Sequence, residues 1–155
     1  MSRPSRGALV EQMNEAMRLF MARVVLFQDA AAKSVGMNAT DLQCAGLLML
    51  HGPLTAGELA ERAGLTAGGA ITGVIDRLER AGLVRRDRDT NDRRRVVITA
   101  DARKLDERVG HVYARIGERW GDYIAGLDDA QVAFIIEFLT KATELNREET
   151  EHLRR

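Results

Sequence analysis

Eight arginines fall between residues 77 and 95: Arg77, Arg80, Arg85, Arg86, Arg88, Arg93, Arg94 and Arg95. The same stretch holds four acids, Glu79, Asp87, Asp89 and Asp92. A guanidinium keeps its charge at any working pH and donates through a planar fork that fits phosphate and carboxylate. A strip of such groups points to an anionic partner, and a nucleic-acid backbone is the one that engages many of them at once. The competing explanation is a solvated ribbon held by internal ion pairs. The chain of 155 residues is formally neutral overall. Its balance comes partly from the far end, where residues 128–155 carry seven acids against four bases. Segregation of this kind favours a local anionic partner over general stickiness.

No other residues assemble comparable chemistry. His51, His111 and His152 are scattered, and none has metal-ligand spacing with another His or Cys. There is no Gly-rich phosphate loop and no Ser, His and Asp set with local context. The chain reads as a non-enzyme without metal or cofactor. The single cysteine, Cys44, excludes an internal disulfide framework. It sits in an apolar helix with no basic residue one turn away, so it reads as core rather than as an oxidant sensor. No apolar run reaches the length of a membrane span. The start, "MSRPSRGALVEQMNE", lacks an apolar signal region, so a cytoplasmic protein is expected.

The elements that must carry the arginines can be read from periodicity. Val10, Met13, Met17, Phe20, Val24, Phe27 and Ala31 step by three or four, which predicts an amphipathic helix over about 8–34, stopped by Gly36. Thr40 and Gln43 have capping-box spacing before the apolar run Leu42 to Leu50, which Gly52 and Pro53 end. Thr55 and Glu58 repeat that spacing. Gly64 allows a turn, and a further helix begins near Thr66 or Ala67 with the stripe Ile71, Val74, Ile75 and Leu78. Gly82 closes it. Two short helices across a glycine-containing turn are a helix-turn-helix candidate. "LVRRDRD" and "RRVVIT" then read as two strands joined by "DTND", a hairpin of the kind called a wing. Leu105, Val109, Val112, Ile116, Trp120, Tyr123 and Leu127 predict a long helix. Asp128 and Gln131 cap a last one, and the two are expected to pack as a pair. The first and last helices carry more apolar surface than one small lobe can cover, which points to dimerisation; a self-contained bundle is the alternative.

The fold class is therefore mostly α with a small β-hairpin wing: a winged helix-turn-helix lobe over 37–100, flanked by dimerisation helices over 1–36 and 101–155. With "ELAERAGL", "VIDRLERAGLVRR" and "DRRRV" set in that order of elements, the chain closely resembles the MarR (multiple antibiotic resistance regulator) family of winged helix-turn-helix transcription factors. The resemblance is specific from about Leu42 to Thr99.

That resemblance implies a homodimer on two-fold double-stranded DNA, most often a repressor, with a recognition helix in each major groove and a wing at each adjacent minor groove. The family's wing motif, an Asp followed two residues later by an Arg, falls on Asp92 and Arg94. Arg94 would enter the minor groove and Asp92 would orient it by a charge-assisted hydrogen bond. Arg86, Arg88, Arg93 and Arg95 are phosphate-contact candidates or surface charge. On the recognition helix the candidates are Thr66, Gly68, Gly69, Thr72, Gly73 and Arg77. Only Thr72 and Arg77 offer useful donors there, and Asp76 would be repelled by phosphate unless it pairs with Arg77 or Arg80.

Two departures from the family stand out. The hairpin is two residues short, an even deletion that preserves strand alternation. Aligned from "VIDRLE", Gly73 takes the place where many members carry a base-reading Arg. The family also binds small aromatic or phenolic acids beside its terminal helices. Phe20, Phe27, Met49 and Trp120 are the candidate lining residues, although their helical spacing equally suits core positions. A winged-helix module that binds protein through its acidic C-terminal helices remains the alternative function.

Overall fold

Ser5 accepts from the Ala8 N–H and opens helix α1, Arg6–Ser34. Gly36, at φ 69°, turns the chain out of it. The structure, a computed structural model, describes residues 4–65, 68–90 and 92–153. Helix α2, Ala39–His51, is capped by Asn38, whose side-chain oxygen accepts from the Asp41 N–H at 2.8 Å. The cap expected at Thr40 is corrected: Thr40 already lies inside the first helical turn, whereas Asn38 has the extended backbone that a cap requires.

Thr55 and Glu58 form the expected capping box at the start of α3, Ala56–Ala63. Gly64, at φ 73°, ends that helix in the left-handed region where a side chain would be strained. Helix α4, Gly69–Arg80, follows; the expected start at Thr66 or Ala67 lies outside the described residues. Its stripe Ile71, Val74, Ile75 and Leu78 is buried against Cys44, Leu48, Leu59 and Ile98. The helix-turn-helix is thus held by a continuous core shared with α2 and the sheet.

Two short strands, β2 (Val84–Arg88) and β3 (Val96–Ala100), pair antiparallel, with Arg86 opposite Ile98. A third strand, β1 (Leu54–Thr55), pairs with the other edge of β3, Leu54 opposite Ile98. The sequence pattern did not reveal β1, because two residues are too few to show a period. It ties the hairpin to the chain just before α3.

The expected continuous helix from Leu105 is broken into three pieces: α5 (Ala102–Leu105), a π-helical turn (Asp106–Gly110) and α6 (His111–Ala125). A Cβ at Gly110 would meet the Asp106 carboxylate, a side-chain end that would have to swing aside. The turn carries Arg108, whose Nε and Nη2 donate to the Val35 carbonyl at 3.1 and 3.0 Å, satisfying an orphan acceptor at the end of α1. Asp128 and Gln131 exchange reciprocal caps at the start of α7, Asp129–Leu153, as the sequence predicts.

By its contacts the chain forms two compact units, Met1–His111 and Val112–Arg155. Within the second, α6 and α7 do not pack along one another, contrary to expectation. No residue of either is buried. Their apolar faces, including Trp120, Ile124, Phe134, Ile136 and Leu139, are exposed, as are Leu9, Val10, Phe20, Val25 and Leu26 of α1. Among the described residues no helix is long and apolar enough to cross a membrane.

Candidate nucleic-acid interface

Helix α4 shows its solvent face through small residues. Gly69, Ala70 and Thr72 are exposed, and Gly73 is half-buried. Gly68 caps the helix at φ 134° without a side chain, a backbone geometry that L residues rarely adopt. Thr66 lies outside the described residues. Thr72 donates its hydroxyl to the Gly68 carbonyl. Arg77 donates Nε and Nη2 to the two oxygens of Asp41, at 2.9 and 2.7 Å. The donors expected to be available on this helix are therefore already engaged inside the protein.

The arginine ribbon divides by position. At its root, Arg86 bridges Asp76 and Glu79, while at the outer end of β3 Arg95 donates to Glu58 at 2.9 Å. Arg85 pairs with Asp87 across 2.8 Å. Asp76 is thus paired, but with Arg86 rather than with Arg77 or Arg80; Arg80 donates instead to the Asp76 main-chain carbonyl. Near the tip the pattern changes. Arg88 donates to the Arg93 carbonyl, and among the described residues Arg93 and Arg94 have no ion pair. Asp92 accepts from the main-chain N–H of Arg94 at 3.0 Å. Its carboxylate therefore fixes the backbone of the tip, and among the described residues it makes no bond to the Arg94 guanidinium that the family motif implies. Among the described residues the ribbon thus carries ion pairs at Arg85, Arg86 and Arg95 and unpaired positive charge at Arg93 and Arg94.

Glu58 links two parts of this surface. The Thr55 main-chain N–H donates to its carboxylate at 2.8 Å, the Thr55 hydroxyl does likewise, and Arg95 binds the other oxygen. The Thr55 bonds first, and then Arg95, hold the carboxyl below its usual 4.5. Sequence reading found the capping box but not the arginine, because a partner 37 residues away leaves no local pattern.

Cys44 is fully buried, and its thiol is pushed up to about 11, by burial first and by the Asp41 carboxylate second. Arg77 is close enough to oppose this, a basic neighbour that the helix alone does not reveal. Phe20, Met49 and Trp120 are each roughly half exposed, and Phe27 is partly buried. A cavity of ≈ 190 Å³ lies beside the Asp41–Arg77 pair, with Met37 and Arg108 among its walls. A larger one is lined by Pro53, Arg85, Arg88 and Val97 on the wing. Neither is lined by any of the four candidate ligand residues.

Comparison with known proteins agrees with this architecture. Residues 37–96 match the MarR family. The chain is 37% identical, over 156 residues, to the uncharacterized HTH-type transcriptional regulator YcgE of Bacillus subtilis (strain 168), covering 99% of this chain and 98% of that protein. In fold it is similar to a MarR family protein from Bacillus stearothermophilus, with TM-score 0.69 and 20% identity over 91% of this chain and 97% of that one. It is also similar to a mutant of S. aureus MepR bound to an oligodeoxyribonucleotide, with TM-score 0.52 and 19% identity over 92% and 98% of the two chains. Matched across its winged lobe and aligned end to end with a regulator of the same size, the chain belongs to the MarR family.

Proposed function

We propose that this MarR-family regulator is a homodimeric repressor that acts in the cytoplasm on a two-fold site in double-stranded DNA and is released by a small aromatic or phenolic acid. The observation that carries DNA binding is the wing tip: among the described residues Arg93 and Arg94 have no acidic partner, and they sit at the end of a hairpin rooted beside an exposed, small-residue helix face. A thin hairpin can follow a groove, and an unpaired guanidinium sheds water readily in the strong negative field of a narrow one. The small face of α4 lets its backbone come close to base edges, while the wing and DNA shape supply much of the discrimination. The bare apolar faces of α1, α6 and α7 support a second copy as their cover, with segments 1–36 and 101–155 forming the dimer.

The test is fluorescence anisotropy with duplexes from the region upstream of the protein's own gene and with scrambled duplexes, across a salt series. Tight binding to one duplex, with affinity falling steeply as salt rises, is expected. Absence of salt-dependent duplex binding would instead favour a protein-docking module. Phenolic acids added to the complex should release DNA and change Trp120 fluorescence if Phe20, Phe27, Met49 and Trp120 line the ligand site.

A further inference from the structure

We infer that Arg86 is a positioning and charge-masking residue of the DNA-reading surface, and not one of its phosphate contacts: from strand β2 its guanidinium bridges the two carboxylates of the recognition helix, Asp76 and Glu79. The inference rests on the DNA-binding reading above and assigns Arg86 a different task within it.

Asp76 and Glu79 stand three positions apart on α4, which places them on one side of the helix. Arg86 Nη2 donates to Asp76 Oδ1 at 2.5 Å, and Nη1 donates to Glu79. No neighbouring arginine of α4 substitutes for it. Arg77 is committed to Asp41, and the Arg80 Nε is given to a main-chain carbonyl. The cluster of one guanidinium and two carboxylates therefore carries a net charge of −1 on the helix that must approach DNA.

The charges decide between the two roles. Were Arg86 to leave for a phosphate, one attraction would be gained and two carboxylates would be left facing the polyanion. Keeping Arg86 in place halves that formal charge and screens both carboxylates at contact distance. The same fork spans from wing to helix, so the hairpin root and α4 are held in one register. Arg86 is only about one-third exposed, as befits a group shared between two elements rather than projected from one.

A mutant cycle on operator affinity separates masking from contact, because coupled groups are non-additive whereas independent ones add. Arg86→Gln should weaken operator binding about tenfold or more, which is the scale of one lost ionic interaction. Asp76→Asn with Glu79→Gln in the wild-type background should change affinity by less than about threefold, since those acids are already masked. The triple variant should return to within about threefold of wild type. Arg93→Gln should lower the salt slope by about one unit, and Arg86→Gln should leave it unchanged. If replacing the two acids tightens binding by the same factor with and without Arg86, or if the triple variant binds as weakly as Arg86→Gln, the inference is overturned while DNA binding stands. If wild-type protein binds no duplex, both fall. Circular dichroism melts monitor folding. Should Arg86→Gln fail to fold, the acid double variant decides alone: more than threefold tightening overturns masking.

Discussion

Arg77 and Asp41, 36 positions apart, are joined by two parallel N–H···O bonds that bolt the recognition helix to the first turn of α2. Asp41 is buried, and Asn38 binds its second oxygen from the same turn. Arg77→Ala would leave that carboxylate without its cation. The loss should be about 1–3 kcal/mol, below the figure for a fully buried pair because Arg77 is partly in water. Urea unfolding of the variant checks this, and a change under about 0.5 kcal/mol would show that the bolt is slack.

Glu58 should make stability depend on pH. Its carboxyl is held below the usual 4.5, by the Thr55 N–H first. A carboxyl depressed in the folded state stabilises the protein above its unfolded value and loses that contribution as pH falls through the folded one. Wild type should therefore melt higher than Glu58→Gln near neutrality, and the two curves should converge below 4.5. Melting temperatures that stay equally separated down to strong acid would contradict this.

At the wing tip, Arg94→Ala should cost on the order of 1–3 kcal/mol in specific binding and reduce the preference for A·T-rich flanks. Asp92→Ala should also weaken binding, although it deletes a negative charge near phosphate, because the Arg94 N–H loses its acceptor. Asp92→Asn keeps a side-chain acceptor and should bind at least as well as wild type. Tighter binding by Asp92→Ala would mean that the acid only repels DNA.

Cys44 should be inert. With its thiol raised to about 11 and no exposed surface, it should resist a disulfide reagent at neutral pH until denaturant is added. Peroxide should leave DNA affinity unchanged, and Cys44→Ala should lower stability by about 1 kcal/mol. A thiol-reversible loss of binding in peroxide, absent from Cys44→Ala, would make it a sensor.

Assembly is testable through the exposed faces. Val109, Val112, Ile116 and Leu139 belong to the surfaces expected to join two copies. Asp at both Ile116 and Leu139 would bury charge without a partner and should split or unfold the dimer. Light scattering at micromolar concentration gives the mass, and a stable wild-type monomer would remove the case for a two-fold operator.

Local patterns carried much of this fold. Ile71, Val74, Ile75 and Leu78 are all buried, and the reciprocal caps at Thr55 with Glu58 and at Asp128 with Gln131 form as their spacing predicts. What escaped is non-local or too short to repeat. The partners of Arg77, Arg86 and Arg95 come from other elements, and which acid meets which arginine is decided only when those elements pack together. β1 has two residues, and the π turn replaces one helical period with another inside a stripe that reads as continuous. Asn38 outranked Thr40 because cap identity depends on where the backbone leaves the extended region.

The third strand gives the wing an interchangeable tip. Leu54 and Val84 are buried at the sheet's root, and β3 is paired on both edges there. The outer end is closed by the Asp89 N–H to the Arg95 carbonyl and the Arg95 N–H to Asp92. Residues could be added or removed in pairs at this end without disturbing the root. Reach into a groove can then vary between relatives while the helix beside it stays fixed, so one scaffold could be fitted to operators of different groove width.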